Sequence, residues 1–394
     1  MKHKIIFILL IFLFTGCYNY RELNNLAITS AVGIDKKDGK YYVTTQVINT
    51  QKMGSDSTST GSQSKFVLYE TSGDTLQEAF RQIVLESPKR IYANHLQLII
   101  VGEEVAKEGV SQIFDFFMRN PESRKQYQMI IARDTTANNI LKVLTPLETL
   151  SSKNMLDSIQ ADSKYLGVSE KITFEDQVKT YLNNKIDMFA TTIITEGNLE
   201  EGKNTDILKE SNPSTKLKVN NLAVFREDKL QGYLTEEESI AAGFLNNTIT
   251  NTIITFKCDE NKYISTEIMN PKTDFEFEKD KLKVKIKVSA KGNINEVDCG
   301  LKISEPKVIG DIEKMTEEQI KQSIIETINK VNKEYKSDTF GFLDKIYKSN
   351  SKYSYKIQDN WFNENLQKLD VQVDVNVSLK GKGNIITVIP NEEN

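Results

Sequence analysis

The sequence predicts an α+β protein of three distinct mixed α/β domains, each a sheet flanked by helices, after a cleaved lipoprotein signal peptide. The chain has 394 residues, of which 39% are hydrophobic and 27% charged; this globular composition suits two or three domains. Segments with the period of strands alternate along the chain with segments that have the period of helices. A short apolar run that ends near a cysteine stands at the N-terminus.

The N-terminal segment has the features of a bacterial export signal. Two lysines precede an unbroken apolar run over residues 5–14, about half the length that a membrane-spanning helix needs. The run leads into Leu13-Phe14-Thr15-Gly16-Cys17, which resembles a lipobox, with phenylalanine where leucine is usual. We therefore expect residues 1–16 to be removed and Cys17 to carry S-diacylglycerol and N-palmitoyl groups. Several acyl chains on one residue would hold the mature chain firmly at a bilayer.

The first predicted domain, residues 17–199, alternates strands with helices. Its first two strands, Leu26–Ile34 and Tyr41–Ile48, flank an Asp-Gly pair that favours a tight hairpin turn. Residues 54–62 include no apolar side chain, so we expect a mobile loop there. The apolar run Leu96–Val101 predicts a short buried strand.

Two helices are predicted to cover this sheet. Thr75 or Asp74 can cap the first, and its inward-facing residues are Leu76, Ala79, Phe80, Ile83 and Val84. The inward-facing residues of the second are Val105, Val110, Ile113, Phe114 and Phe117. Both sets form one apolar stripe, as expected of helices packed on a sheet.

The rest of the chain is predicted to form a linker and two further domains. Residues 200–214 are polar and favour a linker. A small middle domain, residues 215–275, contains a helix that begins with a capping box at Thr235. The third domain, residues 276–390, combines alternating strands with a long amphipathic helix, which a second capping box at Thr316 would begin.

Three features of these domains leave alternatives open. The alternating lysines of Lys281–Lys287 could contact anionic lipid or wall polymer, but we favour a solvated edge strand that resists aggregation. Cys258 and Cys299 could form a disulfide in an exported domain, but we favour buried free thiols. Three aromatic residues could form an exposed cluster that binds a partner, but we favour packing in the core; they are Phe340, Phe342 and Trp361.

The mature chain contains few of the residues and motifs that catalytic sites use. Histidine occurs only as His3, in the leader, and His95, so a multi-histidine zinc site is excluded and a catalytic triad would need His95. We favour a packed imidazole over a catalytic one. There is no GxSxG, phosphate-binding glycine loop or HExxH motif, and a formal charge of −4 argues against nucleic acid. We predict a protein without enzymatic activity, metal, cofactor or nucleic-acid partner.

Short motifs occur in a fixed order along the whole chain. The mature start holds Cys17-Tyr18-Asn19-Tyr20-Arg21-Glu22-Leu23-Asn24-Asn25-Leu26-Ala27 and then Val32-Gly33-Ile34-Asp35. The later motifs are Arg90 and His95, Leu98 to Ala106, Gly109, Leu222 to Phe225, Asp228 to Leu230, Gly232, Asp338 to Phe342, and Trp361 with Phe362. Behind a lipobox, this order resembles the Ger(x)C family, the lipoprotein C subunits of spore nutrient germinant receptors. The family usually has Trp-Asp where this chain has Tyr18-Asn19.

The resemblance implies three separate α+β domains without enzymatic activity. It implies two partners: an A-type multi-pass subunit with a large soluble domain, and a B-type membrane subunit similar to amino-acid permeases. It also implies a location on the outer face of the cell membrane, which in spores is the inner membrane.

Two other classes of function are weighed against this one. A solute-binding lipoprotein of a transporter would have two similar lobes around a hinged cleft, and the predicted division into one large and two smaller units argues against it. A lipid-anchored envelope hydrolase is disfavoured by the scarcity of histidine.

Overall fold

The structure is a computed structural model that describes residues 26–49, 64–119, 125–301, 303 and 305–379. The predicted attachment residue Cys17 and the predicted mobile loop over residues 54–62 lie outside these ranges. The described strands form two sheets, one of nine strands and one of four, and helices flank both. The predicted class of mixed α/β sheets flanked by helices is confirmed.

The first sheet has four parallel strands at its centre and an antiparallel meander on either side. Its order is β3-β2-β1-β5-β6-β7-β8-β9, and β4 pairs with the start of β1. Strands β1, β5, β6 and β7 are parallel, whereas β2, β3, β8 and β9 join as antiparallel neighbours. The bounds are β1 (Leu26–Lys37), β2 (Lys40–Ile48), β3 (Phe66–Gly73), β4 (Arg90–Tyr92), β5 (Leu98–Gly102), β6 (Gln128–Ala132), β7 (Phe189–Gly197), β8 (Thr215–Arg226) and β9 (Lys229–Tyr233).

The hairpin between β1 and β2 has the predicted turn. Asp38 and Gly39 both have positive φ, at 51° and 78°, which is the conformation that a two-residue turn of this kind requires. Glycine adopts this conformation without the steric cost that a side chain would add.

Eleven α-helices are found in the described residues. They are α1 (Leu76–Gln82), α2 (Glu103–Glu108), α3 (Ser111–Arg119), α4 (Ala137–Lys142), α5 (Ser151–Tyr165), α6 (Phe174–Leu182), α7 (Leu199–Gly202), α8 (Glu236–Asn246), α9 (Pro306–Asn329), α10 (Phe342–Ser349) and α11 (Ser351–Ile357). Shorter 3-10 or π turns occupy Ile83–Leu85, Ala93–His95, Thr205–Lys209, Lys330–Glu334, Gln358–Asn360 and Trp361–Asn365.

The central strands of the first sheet are buried on both faces. In β5, Ile99 and Val101 pack with α1, α2, α3 and α6, while Leu98 and Ile100 pack with α4 and α5. This explains why β5 is a continuous apolar run rather than an alternating one. The predicted inward residues of α2 and α3 are all buried, although a break at Gly109 divides the predicted single helix into two.

The second sheet has the order β10-β11-β12-β13. Its strands are β10 (Asn251–Asp259), β11 (Lys262–Phe277), β12 (Lys283–Val297) and β13 (Asp370–Leu379). Strand β13 runs parallel to β12, and the long helix α9 lies between them in the chain. Ile320 and Ile324 of α9 share a core with Ile286 of β12.

The segment predicted as a linker, residues 200–214, connects two paired strands. Strands β7 and β8 form an antiparallel ladder in which Gly197 lies opposite Thr215. Residues 215–275, predicted as one small domain, contribute β8 and β9 to the first sheet and β10 and β11 to the second. Polar composition marks an exposed connection, but it does not encode which strands will pair across it. The three-domain division thus does not coincide with the two sheets, and as a statement about folding units it stays a prediction.

The predicted capping box at Thr316 is wrong. Helix α9 begins ten residues earlier, with Pro306 in its first turn, so Thr316 lies inside the helix. Its hydroxyl donates to the Ile312 carbonyl at 2.8 Å, the usual bond of a threonine within a helix.

The lysine row of β12 does not lie on an edge strand, because β11 and β13 flank β12. Its lysines pair with acids of those neighbours: Lys285 Nζ lies 2.6 Å from Asp374 and Lys287 Nζ lies 2.5 Å from Glu276. Cross-strand ion pairs of this kind stabilise the sheet modestly and leave the row partly neutralised.

Cys258 and Cys299 form a disulfide, with their Cα atoms 6.3 Å apart. The bond links the end of β10 to the segment that follows β12. The preference for free thiols is therefore corrected. The two cysteines are 41 residues apart in sequence, and nothing in the sequence indicated that they would meet.

Within the described part of the chain, none of the helices combines the length and apolar composition that crossing a membrane requires.

Candidate functional site

Asp35 and Gly102 form one contact between motifs that are far apart in sequence. The two carboxylate oxygens of Asp35, at the end of β1, accept from the backbone N–H groups of Ala137 and Asn138 at 2.9 and 3.0 Å. A Cβ atom on Gly102 would stand 2.2 Å from Asp35 Oδ1, so only glycine fits beside this carboxylate. Burial raises the pKa of Asp35, and the two N–H bonds oppose the shift. This carboxylate holds helix α4 against the sheet.

Asp228 makes a corresponding contact to α3, which packs on the face of the first sheet opposite α4. It lies in the turn between β8 and β9, where its carbonyl accepts from Val110 N at 2.9 Å and its Oδ2 accepts from Ser111 N at 3.2 Å. A Cβ on Gly109, which has a φ of 135°, would stand 2.5 Å from Asp228 Oδ2. Asp228 therefore fixes the start of α3.

Asp338 is the centre of a buried network near the C-terminus. Its Oδ1 accepts from Phe342 N at 2.8 Å, and its Oδ2 accepts from Leu343 N and Trp361 Nε1, each at 2.9 Å. Phe340, Phe342 and Trp361 have no exposed surface, which confirms the predicted core role. Burial raises the pKa of Asp338 to about 7.

Asp187 links this network to the first sheet. Its Oδ2 accepts from Asp338 N at 2.8 Å, and its Oδ1 accepts from Glu227 N at 2.7 Å. Burial raises its pKa as well. Asp187 and Asp338 are 151 residues apart and together connect the first sheet to the helices beside the second, a contact that no sequence pattern signals.

A cleft of about 710 Å³ lies beside this network, between residues of both sheets. Its wall includes the buried Glu170, whose Oε1 accepts from Asn246 Nδ2 at 3.0 Å and from Thr248 Oγ1 at 3.1 Å. Burial raises the pKa of Glu170 and lowers that of Lys345, whose ammonium donates to the Phe340 carbonyl. Both charged groups are therefore bonded to other groups of the protein.

A groove of about 740 Å³ lies beside the start of β1. Phe80 and Phe116 stack at 5.0 Å between ring centroids and line it together with Arg81 and Arg119. Val84, predicted to face inward, is 65% exposed. The cause is local: α1 ends at Gln82 and a 3-10 turn follows, which breaks the 3.6-residue period of the prediction.

His95 lies on the surface in the turn Ala93–His95, with its ring centroid 6.1 Å from that of Tyr92. The imidazole is therefore exposed rather than buried. Across the described residues, no group of three or more His, Cys, Asp or Glu side chains could hold a metal ion.

The sequence matches two family models in consecutive order. Residues 19–195 match "Spore germination protein N-terminal domain", and residues 220–383 match "Spore germination B3/ GerAC like, C-terminal".

Similar proteins and a solved structure agree with these matches. Spore germination protein KC of Bacillus subtilis (strain 168) is 28% identical over 387 residues, which cover 96% of this chain and 95% of that protein. Spore germination protein B3 of the same organism is 22% identical over 98% of both chains. The crystal structure of the GerBC protein shares the fold, with a TM-score of 0.57, 19% identity, and coverage of 89% of this chain and 97% of that one. This chain belongs to the Ger(x)C family of spore germination proteins.

Proposed function

We propose that the protein is the lipid-anchored, non-catalytic C subunit of a nutrient germinant receptor that is needed for spore germination. The observation that carries the proposal is the match of both family models, in order, in a chain that also aligns end to end with spore germination proteins. The proposed partners are the A-type and B-type multi-pass membrane subunits. The C subunit would act through protein contacts at the outer face of the membrane, which in spores is the inner membrane.

A non-catalytic role is supported by the use of the buried acids. Asp35, Asp187 and Asp338 accept backbone N–H groups that hold helices or loops in place. A general acid or base needs a lone pair or proton that faces a substrate. We infer that these carboxylates stabilise the fold.

Attachment to the membrane is proposed to depend on Cys17. The Cys258–Cys299 disulfide supports export, because disulfides persist in oxidising compartments outside the cytoplasm. The solute-binding alternative has the cleft of about 710 Å³ in its favour. The two sheets beside that cleft have nine and four strands, however, and so are unlike the paired lobes of such proteins.

The test replaces Cys17 by alanine in the full-length protein. We expect Cys17→Ala to abolish lipid labelling and membrane retention, and to abolish germination through this receptor, because no thiol would remain at the modification site. The matched control is the double variant Cys258→Ser/Cys299→Ser, which should keep both labelling and membrane retention. Unchanged membrane retention of Cys17→Ala would refute the anchor.

The partner proposal needs a separate measurement. Affinity purification of the tagged, lipidated chain from detergent-solubilised spore membranes should recover both multi-pass subunits. Recovery of the chain without either subunit, under conditions in which the two membrane subunits stay together, would refute the assignment to a receptor.

A further inference from the structure

The turn after α1 presents an unusual surface, which we name the Val84 surface and define as Arg81, Val84, Leu85, Lys89 and Arg90. Val84 and Leu85 are 65% and 81% exposed, although aliphatic side chains are usually buried. Between positions 81 and 90 the chain has three basic side chains and one acidic side chain, Glu86. Exposed apolar residues with a basic excess on either side in the sequence favour an anionic, partly apolar partner.

The Val84 surface lies where the described chain begins. Strand β4 pairs in parallel with the start of β1, so that Arg90 is opposite Leu26. Leu85 is five residues before Arg90 and therefore within about 18 Å of it along the chain. Leu26 is nine positions after Cys17, which limits the distance between them to about 30 Å. An anchor at Cys17 would thus hold this end of the sheet close to the bilayer.

We propose that the Val84 surface docks on an anionic phospholipid bilayer, with Val84 and Leu85 among the acyl chains near the headgroups and Arg81 and Lys89 at the lipid phosphates. Basic side chains near a membrane surface gain affinity from anionic lipid, and long side chains let the charge reach the headgroups. This inference rests on the proposed anchor and adds an orientation to it. The end of the sheet at which β1 begins would face the membrane.

A tryptophan scan can test the orientation, because the chain has one tryptophan, Trp361, and it is fully buried. In the lipidated full-length chain, Leu85→Trp adds an exposed reporter at the proposed contact. The matched control is Leu147→Trp, since Leu147 is 93% exposed. Leu147 follows α4, and the nearby Leu144 N donates to the Gly202 carbonyl just beyond the end of β7. Leu147 therefore lies toward the C-terminal ends of the parallel strands, the end of the sheet opposite to the start of β1.

The variants are reconstituted into vesicles that contain phosphatidylglycerol and brominated phospholipid. We expect Leu85→Trp fluorescence to shift to the blue and lose at least half of its intensity, while Leu147→Trp stays at its value in vesicles without bromine. Adding Arg81→Glu and Lys89→Glu to Leu85→Trp should reverse most of the quenching. Unquenched Leu85→Trp, or quenching of Leu147→Trp alone, would overturn the proposal.

Flotation of the same vesicles separates this proposal from the anchor. A chain that fails to float has lost the anchor, so the proposed function fails as well. A chain that floats with unquenched Leu85→Trp keeps the anchor and refutes only the docking surface. A blue shift without quenching that appears only when the two membrane subunits are included would identify a protein as the occupant and would also refute lipid docking.

Discussion

Asp338 shows how one residue can join the parts of this fold. Its two oxygens bind the first N–H groups of α10 and the indole of Trp361, while its own N–H binds Asp187. Three donors favour the ionised form, yet complete burial outweighs them and the nearby Asp187 adds repulsion, so the pKa rises to about 7. The stability of the protein should therefore depend on pH in a range where carboxylates do not normally titrate.

We expect the free energy of unfolding to fall as pH rises from about 4 to about 7. Between these values the folded protein keeps the Asp338 proton, whereas the unfolded chain, with its pKa near 3.8, has released it; the stabilising contribution is therefore full below the unfolded pKa and is lost by the time the pH reaches the folded pKa. The loss over the whole interval should be on the order of 4 kcal/mol, since one unit of pKa shift corresponds to about 1.4 kcal/mol. Urea unfolding at several pH values measures it.

Asp338→Asn should remove most of this pH dependence while lowering stability at every pH, because the amide cannot accept all three bonds. A smaller slope should persist, since the pKa of Asp187 is also raised. The matched control is Asp344→Asn in α10, the helix that follows Asp338; Lys348 lowers the pKa of this carboxyl, and the variant should keep the wild-type slope. A wild-type slope in Asp338→Asn would contradict the assignment.

At the scale of elements, a turn or a helix cap could be predicted from the sequence when all the residues that form it are close together in the sequence. The Asp38-Gly39 turn and the Thr235 capping box depend on neighbours within four residues, and both occur as expected. The Thr316 motif has the same residue pattern but lies inside a helix that Pro306 begins. The pattern fails there because a cap requires an extended backbone at its first residue, and the preceding turns of α9 prevent it.

The two threonines provide a matched prediction. Thr235→Ala removes the acceptor of the Glu238 N–H, which lies 3.2 Å from Thr235 Oγ1, and should cost about 0.5–2 kcal/mol. Amide exchange at Glu238 should accelerate in this variant. Thr316→Ala should leave exchange at residues 317–319 unchanged, because the backbone of α9 supplies their acceptors. Equal acceleration in both variants would refute the distinction.

At the scale of the whole molecule, long-range pairing decided what the sequence could not predict. Strand β8 joins β7 across the polar segment 200–214, and the disulfide joins the ends of two strands of the second sheet. The Val84 surface could not be predicted from the sequence either. Val84 fits a helical stripe in the sequence, and it is exposed only because α1 ends at Gln82. The acids Asp187 and Asp338 are 151 residues apart, and their contact depends on the assembled fold.

The shared core predicts that the two sheets unfold together. One core contains Phe189 and Val224 of the first sheet with Ile286 of the second and Trp361, and the Asp187–Asp338 bond crosses the same boundary. Loss of either sheet would expose apolar surface of the other, so neither should persist alone at the midpoint of unfolding. Urea transitions followed by Trp361 fluorescence and by amide exchange of β5 should coincide. Two separated transitions, with β5 protected after Trp361 is exposed, would instead support independent domains. Asp187→Ala should separate the transitions if this contact carries the coupling, whereas Asp374→Ala, whose carboxylate pairs with Lys285 within the second sheet, should leave them coincident.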